Sequence, residues 1–305
     1  MKLRRIADRV RIAAWFGLVC ALGPVAARAN PASDAYYERT VMSAADARCR
    51  LFTPDIAAAL SASQAQARGA ALRAGADTAS LQSLAAQARN RAEAAPCGSP
   101  DLATAAGRVR AAFEGYSRLP RMSFPGDQAA WRADRTYSLD GPTWRLAQTG
   151  QMGAQPFTFG LAGRRGEAAR LMVVADFGPG PGPYAARLLM RDPARAPEAY
   201  LNILRANAPT RLPLSARTPP RLASRIFSAE SRDQAEPRLL APGQSSAMAF
   251  RFPASAATAI GGLDPREAVT LEFVFMGRNG DIVRTAYVEV GDFAAGQAFL
   301  TVAAR

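Results

Sequence analysis

The spacing of apolar residues divides this chain into a helical first part and a strand-rich second part. Between residues 33 and 119, apolar residues recur three or four positions apart, as they do on one face of an α-helix. Thr53-Pro54-Asp55 and Ser99-Pro100-Asp101 each combine a hydroxyl cap, a proline and an early carboxylate, which is typical of a helix start. The pattern predicts four alanine-rich helices, at about 33–48, 53–74, 77–95 and 99–119.

After Pro120 the helical period is lost, and short apolar or alternating runs between turn residues take its place. Residues 121–142 contain proline and glycine breaks without a sustained period, so they are predicted to be a linker that packs partly through Phe124 and Trp131. Strands are predicted at 143–148, 156–161, 170–177 and 185–191. A helix is predicted at 197–205, and several prolines interrupt the residues that follow it.

The last sixty residues predict a compact β-structure. A strand at 247–252 and a short helix from Pro253 to Gly261-Gly262 precede two strands, at 269–276 and 282–290, which flank a turn containing Asn279-Gly280. A helix at 293–302 closes the chain. The predicted fold class is therefore α+β: a helical domain at 30–120, the linker at 121–142, and a mainly antiparallel β-rich domain with a C-terminal helix at 143–305.

The first 29 residues have the three parts of a cleaved signal peptide. Residues 1–11 are strongly basic, residues 12–27 are uncharged and too short to span a bilayer, and Ala27 and Ala29 occupy the positions that a signal peptidase reads. Cleavage after Ala29 is predicted. We therefore expect a periplasmic or secreted protein, most consistent with a Gram-negative bacterium, which contacts the membrane only transiently through this peptide.

Cleavage would leave Cys49 and Cys97 as the only cysteines, an even number in an oxidising compartment. The second and third predicted helices run antiparallel and return the chain to its starting level, which brings Cys97 beside Cys49. A disulfide is predicted between them, and two unpaired thiols are the alternative.

The C-terminal region resembles a known family. Four elements follow each other here: a strand that begins Val269-Thr-Leu-Glu-Phe-Val-Phe, the Asn279-Gly280 turn, a strand that ends Val288-Glu-Val-Gly-Asp-Phe293, and an alanine-rich helix. This order is similar to the C-terminal half of invasion-associated locus B type proteins. The similarity covers about 50 of the 305 residues, and this chain lacks the cysteines that those proteins commonly carry there. The resemblance implies an exported bacterial protein with an accessory role at the envelope and no established catalytic residues.

Composition excludes most catalytic classes. The chain has no histidine, and Lys2 is its only lysine, so serine–histidine and cysteine–histidine machinery, histidine-bound zinc and Schiff-base chemistry are not available to the mature protein. Without residues 1–29 the net charge falls from +13 to about +8, with 32 arginines against 24 acidic residues. No clustered basic stripe predicts nucleic-acid binding, and no cofactor or metal site is predicted.

Carboxylate chemistry survives these exclusions, although the candidate acids sit next to proline, glycine or arginine, as turn-forming residues do. The candidates are Asp134, Asp140, Asp176, Asp192, Asp264 and Asp281. The segment Gly178 to Pro183 alternates glycine with proline. Its prolines remove the N–H groups that a phosphate loop needs, so a stiff connector is predicted.

Three tryptophan–arginine or arginine–arginine pairs are candidate contacts for an anionic ligand. They are Trp131-Arg132, Trp144-Arg145 and Arg164-Arg165. Solvated arginines beside half-buried rings are the alternative interpretation. The sequence favours a non-catalytic envelope protein that binds another protein or an anionic surface component. The alternative is a carboxylate-dependent hydrolase of envelope polysaccharide, which would need two carboxylates facing each other across a cleft.

Overall fold

The computed structural model of the protein describes residues 30–201 and 212–301. The predicted signal peptide lies outside the described residues, as do the last residue of the predicted C-terminal helix and residues 202–205 of the helix predicted at 197–205. The described part of the latter, residues 197–201, is not helical. Within the described ranges, no helix combines the length and apolar character needed to cross a membrane.

The predicted α+β fold class is confirmed. Four helices come first, and their bounds are α1 Pro31–Cys49, α2 Pro54–Arg73, α3 Thr78–Ala94 and α4 Pro100–Ala112. A disulfide joins Cys49, the last residue of α1, to Cys97 just after α3, with the two Cα atoms 5.5 Å apart. The bond therefore ties the first and third helices together at the end where the sequence predicted they would meet.

Side-chain caps explain three of the four helix starts. Asn30 accepts a hydrogen bond from the Ala32 amide at the start of α1, Asp77 accepts one from Ser80 in α3, and Ser99 accepts one from Leu102 in α4. The start predicted at Ser33 or Asp34 is thus two or three residues late, because Asn30-Pro31 supplies the cap and the proline. Thr53 precedes α2 without a side-chain cap bond.

Helix α4 ends earlier than its apolar spacing predicts. It stops at Ala112, and a 3-10 turn at Tyr116–Arg118 follows. Gly115 between them has φ +79°, a left-handed conformation that an α-helix cannot contain and that glycine adopts without steric cost. The predicted helix over 113–119 is therefore wrong, although Phe113 and Tyr116 still contact the core as the spacing indicated.

Eleven strands lie within the described residues and form two antiparallel sheets. Their bounds are β1 Arg121–Phe124, β2 Trp131–Asp134, β3 Thr143–Met152, β4 Gln155–Gly163, β5 Arg170–Ala175, β6 Ala185–Arg191, β7 Ser224–Ser228, β8 Ser231–Gln234, β9 Met248–Arg251, β10 Ala268–Gly277 and β11 Gly280–Glu289. The larger sheet has the order β1-β2-β3-β4-β5-β9-β8, and the smaller has the order β11-β10-β6-β7. Helices α5 Ala254–Gly261 and α6 Phe293–Leu300 complete the fold.

The region predicted to be a linker is part of the larger sheet. Residues 121–142 contain β1 and β2, which pair antiparallel with each other, and β2 continues the sheet through β3. Each strand is only four residues long and lies between glycine and proline breaks. Four residues are too few to show the alternation of apolar and polar residues that identifies a strand. Phe124 and Trp131 are fully buried rather than partly packed.

The two sheets pack face to face around one hydrophobic core. Phe159 of β4, Val173 of β5 and Phe250 of β9 from the larger sheet share a cluster with Leu188 of β6 and Phe273 of β10 from the smaller one. The predicted connector, residues 178–183, leads from β5 in one sheet to β6 in the other. This arrangement is a sandwich in which inward-facing residues of both sheets interdigitate.

The helical unit shares the sandwich core rather than standing apart from it. Helix α2 packs against α6, and its Ala59 and Ala62 belong to the same buried cluster as Phe299 of α6. Small alanine side chains allow the two helices to approach closely.

The opposite face of the larger sheet is crossed by one segment of chain. Residues 235–247, which we call the strap, pack Ala235, Leu239 and Ala247 on Met172 and Val174. The Trp144 indole N–H donates a hydrogen bond to the Leu239 carbonyl at 3.0 Å. The strap leaves a concave surface on either side of Leu239.

Candidate functional site

Strand alternation separates the first predicted ligand pair. Trp131 and Arg132 are neighbours on β2, and successive side chains of a strand point to opposite faces. Trp131 is therefore buried in the sandwich core, where its indole N–H donates to the Val290 carbonyl at 2.9 Å, while Arg132 is exposed on the strap side. Trp131 cannot contact a ligand at the surface, and this part of the prediction is wrong.

A β-bulge separates the second pair. The register of β3 against β4 shifts between Trp144 and Leu146, so Arg145 is the extra residue. Trp144 faces the strap and is half-buried, whereas Arg145 is buried on the other side, with its guanidinium 3.6 Å from the centre of the Tyr137 ring. Arg145 is thus held by an internal cation–π contact and is not available to a ligand.

The third pair stays at the surface without forming a site together. Arg164 makes an exposed ion pair with Glu236 at 3.1 Å. Arg165 is exposed in the turn between β4 and β5 and lines neither of the concave surfaces beside the strap. Solvation is the simplest account of Arg165.

The structure places Arg132 and Trp144 together in one groove, which we call the sheet groove. It has a volume of about 740 Å³ and lies on the strap side of β1 to β4. Its floor is formed by small or hydroxyl side chains, among them Ala147, Thr149 and Thr158, and its wall by strap residues 239–242. The small floor residues create the depth of the groove.

The charges of the sheet groove favour an anionic ligand. Arg121 forms an ion pair with Asp134 at 2.7 Å, whereas Arg132 makes no hydrogen bond or ion pair with any residue that the structure describes. Burial raises the pKa of Asp134, but hydrogen bonds from Thr136 and Arg121 outweigh that effect, so the net shift is downward and the carboxylate stays ionised. The groove therefore carries a net positive charge from two guanidinium groups and one carboxylate.

A second, smaller groove of about 430 Å³ lies on the other side of the strap. Its charged residues largely pair with each other: Arg164 with Glu236, and Arg251 with Asp233 at 3.5 Å. No aromatic side chain lines it. Charge neutralisation within this groove makes it a weaker candidate for ligand binding than the sheet groove.

The candidate aspartates act in turns or are paired with one other side chain. Asp134, Asp176, Asp192 and Asp264 each accept a hydrogen bond from the backbone amide two residues further on. Asp140 pairs with Arg238, and Asp281 accepts a hydrogen bond from the Tyr184 hydroxyl at 2.7 Å. Among the described residues, Asp134 is the only carboxylate that lines the sheet groove. The described residues contain no group of three or more metal-ligating side chains placed to hold an ion.

Sequence reasoning missed a buried charge cluster where the helical unit meets the sandwich. This junction cluster consists of Arg73, Asp127, Arg217, Glu289 and Asp292. Arg73 of α2 donates two hydrogen bonds to Asp292, at 2.9 and 3.1 Å, and Arg217 pairs with Asp127 at 3.0 Å. Its members come from four separate places in the chain, since only Glu289 and Asp292 are near neighbours in sequence, so no local motif predicts the cluster.

Glu289 is fully enclosed in the junction cluster, as is Arg217. Its side chain is fully buried and accepts backbone hydrogen bonds from Asp127, Gln128 and Ala129 at 2.6 to 2.9 Å. The Arg217 guanidinium lies 3.6 Å from it. The carboxylate thereby holds the β1–β2 loop on the end of β11.

Gly69 lets the cluster reach helix α2. A Cβ atom at this position would lie 2.3 Å from the Asp292 carboxylate and 3.2 Å from the Arg73 guanidinium. Only a glycine leaves room for the two charged groups to meet against the helix backbone.

The junction cluster has three carboxylates and two guanidinium groups, so its third negative charge is not compensated within it. Burial raises the pKa of Asp292 despite the Arg73 contact, and the nearby Glu289 and Asp127 charges raise it further. The folded state then binds this proton more tightly than the unfolded state does. The Asp292 contribution to the free energy of unfolding should therefore fall as the pH rises from its ordinary pKa of 3.8 through the raised value.

We expect this contribution to disappear in Asp292→Asn. Urea titration at a series of pH values measures the free energy of unfolding of both proteins. The wild-type value should fall relative to the variant's value as the pH rises across that window. Asp77→Asn is the contrasting control. A backbone hydrogen bond from Ser80 lowers the pKa of Asp77, so its contribution should be lost as the pH falls. A difference for Asp292 that does not change with pH would contradict this account.

Comparison with protein-family models, curated proteins and solved structures finds no match to this chain. The sheet groove, with Arg132 and Trp144, therefore rests on its own geometry as the candidate functional site.

Proposed function

We propose that this protein is an exported, non-catalytic binding module that holds an anionic surface component of the bacterial envelope in the sheet groove. One observation carries the proposal: Arg132 lines a groove of about 740 Å³ without a partner among the described residues, and the half-buried Trp144 ring lines the same groove. A guanidinium group binds carboxylate or phosphate through paired hydrogen bonds. The indole and the Thr149 hydroxyl add contacts suited to a sugar ring.

Export is supported by independent features. The first 29 residues have the order basic, apolar and small that a signal peptidase recognises, and the Cys49–Cys97 disulfide suits an oxidising compartment. The resemblance to invasion-associated locus B type proteins also points to the envelope and stays a prediction.

The hydrolase alternative is less well supported by the sheet groove. A glycosidase of the common type needs two carboxylates on opposite sides of the bound sugar. Asp134 is the one carboxylate that the described part of the chain contributes to this groove, and Arg121 holds it in an ion pair. Binding requires no second acid.

The proposal predicts that Arg132→Gln weakens binding of an anionic polymer about tenfold, the effect of losing a charge-assisted hydrogen bond. Affinity electrophoresis would use polygalacturonate as the carboxylate polymer, polyphosphate as the phosphate polymer and dextran as the neutral one. We expect retention by at least one of the two anionic polymers and none by dextran.

Arg165→Gln is the matched control because it removes the same charge from an exposed arginine outside the groove. It should leave retention close to that of wild type. An equal loss of retention in both variants would mean that the polymer is attracted to the overall positive charge of the protein and not to the groove. No retention of the wild-type protein by either anionic polymer would overturn the proposal. Release of reducing ends from polygalacturonate would favour the hydrolase instead.

A further inference from the structure

Within residues 30–201 and 212–301, no strand pairs with the outer edge of the smaller sheet, and this edge has the features of a strand-pairing surface. Strand β11 is the edge strand, and it pairs with β10 in an unbroken register of ten residue pairs from Ala268↔Glu289 to Gly277↔Gly280. Its residues 280–285 are exposed. The segment contains no proline, lysine or bulge, three of the devices by which proteins block an exposed edge, and its two charged side chains, Asp281 and Arg284, have opposite signs.

The hairpin geometry identifies the backbone groups at this edge. The loop is two residues long, Arg278 and Asn279, so the closing pair Gly277 and Gly280 exchanges hydrogen bonds, and bonded and non-bonded pairs alternate from there. Asp281, Val283 and Thr285 fall in the non-bonded pairs. Their N–H and C=O groups therefore point away from β10, toward the free edge.

Apolar side chains are exposed on both faces of the hairpin beside this edge. Met276 is 85% exposed and Val283 is 45% exposed on one face, and Ile282 is 55% exposed on the other. A partner stacked on the sheet would cover only one of these faces. A strand added alongside β11 places its own side chains on both faces, next to Val283 on one and next to Ile282 on the other.

The geometry points to a second copy of this chain as the added strand, paired antiparallel through β11 about a two-fold axis at Val283. In this register Asp281 lies opposite Thr285, and Ile282 lies opposite Arg284, so no like charges face each other. Registers centred on Asp281 or Arg284 would place two carboxylates or two guanidinium groups opposite each other. The Arg284 guanidinium already lies 4.6 Å from the centre of the Phe275 ring, which leaves its aliphatic stem beside Ile282 of the partner.

This pairing adds about six backbone hydrogen bonds over a short strand, so the dimer is a weak one. Sedimentation equilibrium of the wild-type protein at increasing concentration should show the average mass rising toward that of a dimer. Val283→Lys places two ammonium groups on the axis and should weaken the dimer at least about tenfold. Ile226→Lys, at a 42% exposed position on the opposite edge strand β7, is the matched control and should dimerise like wild type.

Cysteine cross-linking tests the register independently. In a Cys20→Ser background, Val283→Cys should form an intermolecular disulfide under mild oxidation, because the Cα atoms of a hydrogen-bonded antiparallel pair lie about 5.5 Å apart. Thr285→Cys should form no such disulfide, because in this register residue 285 lies opposite residue 281 of the second copy and not opposite residue 285. A wild-type protein that stays monomeric at all concentrations, or equal cross-linking of the two variants, would overturn the proposal.

Discussion

Replacing Cys49 and Cys97 together with serine should lower the free energy of unfolding by about 4 kcal/mol. The disulfide closes a loop with a sequence separation of 48 residues, and the chain-entropy model assigns a stabilisation of about that size to such a loop. The bond joins the end of α1 to the segment between α3 and α4. Half of the buried residues in the helix cluster there are alanines, which bury little apolar area each. Urea unfolding followed by circular dichroism gives the measurement.

Reductant provides the control for this prediction. It should lower the stability of the wild-type protein by a similar amount and leave the double variant unchanged, since the variant has no bond between these positions to reduce. A wild type that keeps its full stability after complete reduction would show that helix packing alone holds the unit together.

Replacing Glu289 with alanine should cost about 3–5 kcal/mol of stability, the range found when one partner of a buried charge pair is removed. The change leaves the backbone amides of Asp127, Gln128 and Ala129 without their acceptor in a site that water does not reach. It also removes a carboxylate 3.6 Å from the Arg217 guanidinium. Denaturant titration of the variant against wild type measures the loss.

Asp140→Ala is the matched control for Glu289→Ala. Asp140 also pairs with an arginine, Arg238, but its side chain is 75% exposed, and exposed pairs contribute about 0–1 kcal/mol. Comparable losses in the two variants would mean that burial does not set the strength of these contacts, contrary to the account given for the junction cluster.

Residue type predicts two members of the candidate site correctly, but it also predicts two residues that do not belong to the site. Composition predicts Arg132 and Trp144 as ligand contacts because cations and aromatic rings suit anionic ligands, and both line the sheet groove. It equally predicts Trp131 and Arg145, which face the other way. Adjacent residues on a strand share a sequence neighbourhood but not a surface, so a dipeptide pattern cannot assign them to one site.

The sequence by itself determined the features whose physics is local. The cap at Ser99, the proline after it and the hairpin around Asn279 act within a few residues, and all three are present in the structure. The pairing of Cys49 with Cys97 also followed, because two antiparallel helices of similar length fix where their ends meet.

Only the tertiary structure decided which faces and which distant residues meet. Strands β1 and β2 are four residues long, and their pairing with β3 comes from the sheet rather than from their own sequence. Arg73 and Asp292 lie 219 positions apart and share an ion pair because α2 docks on the end of the sandwich. Long-range contacts depend on how layers pack, and packing energy is shared among residues that no short stretch of sequence brings together.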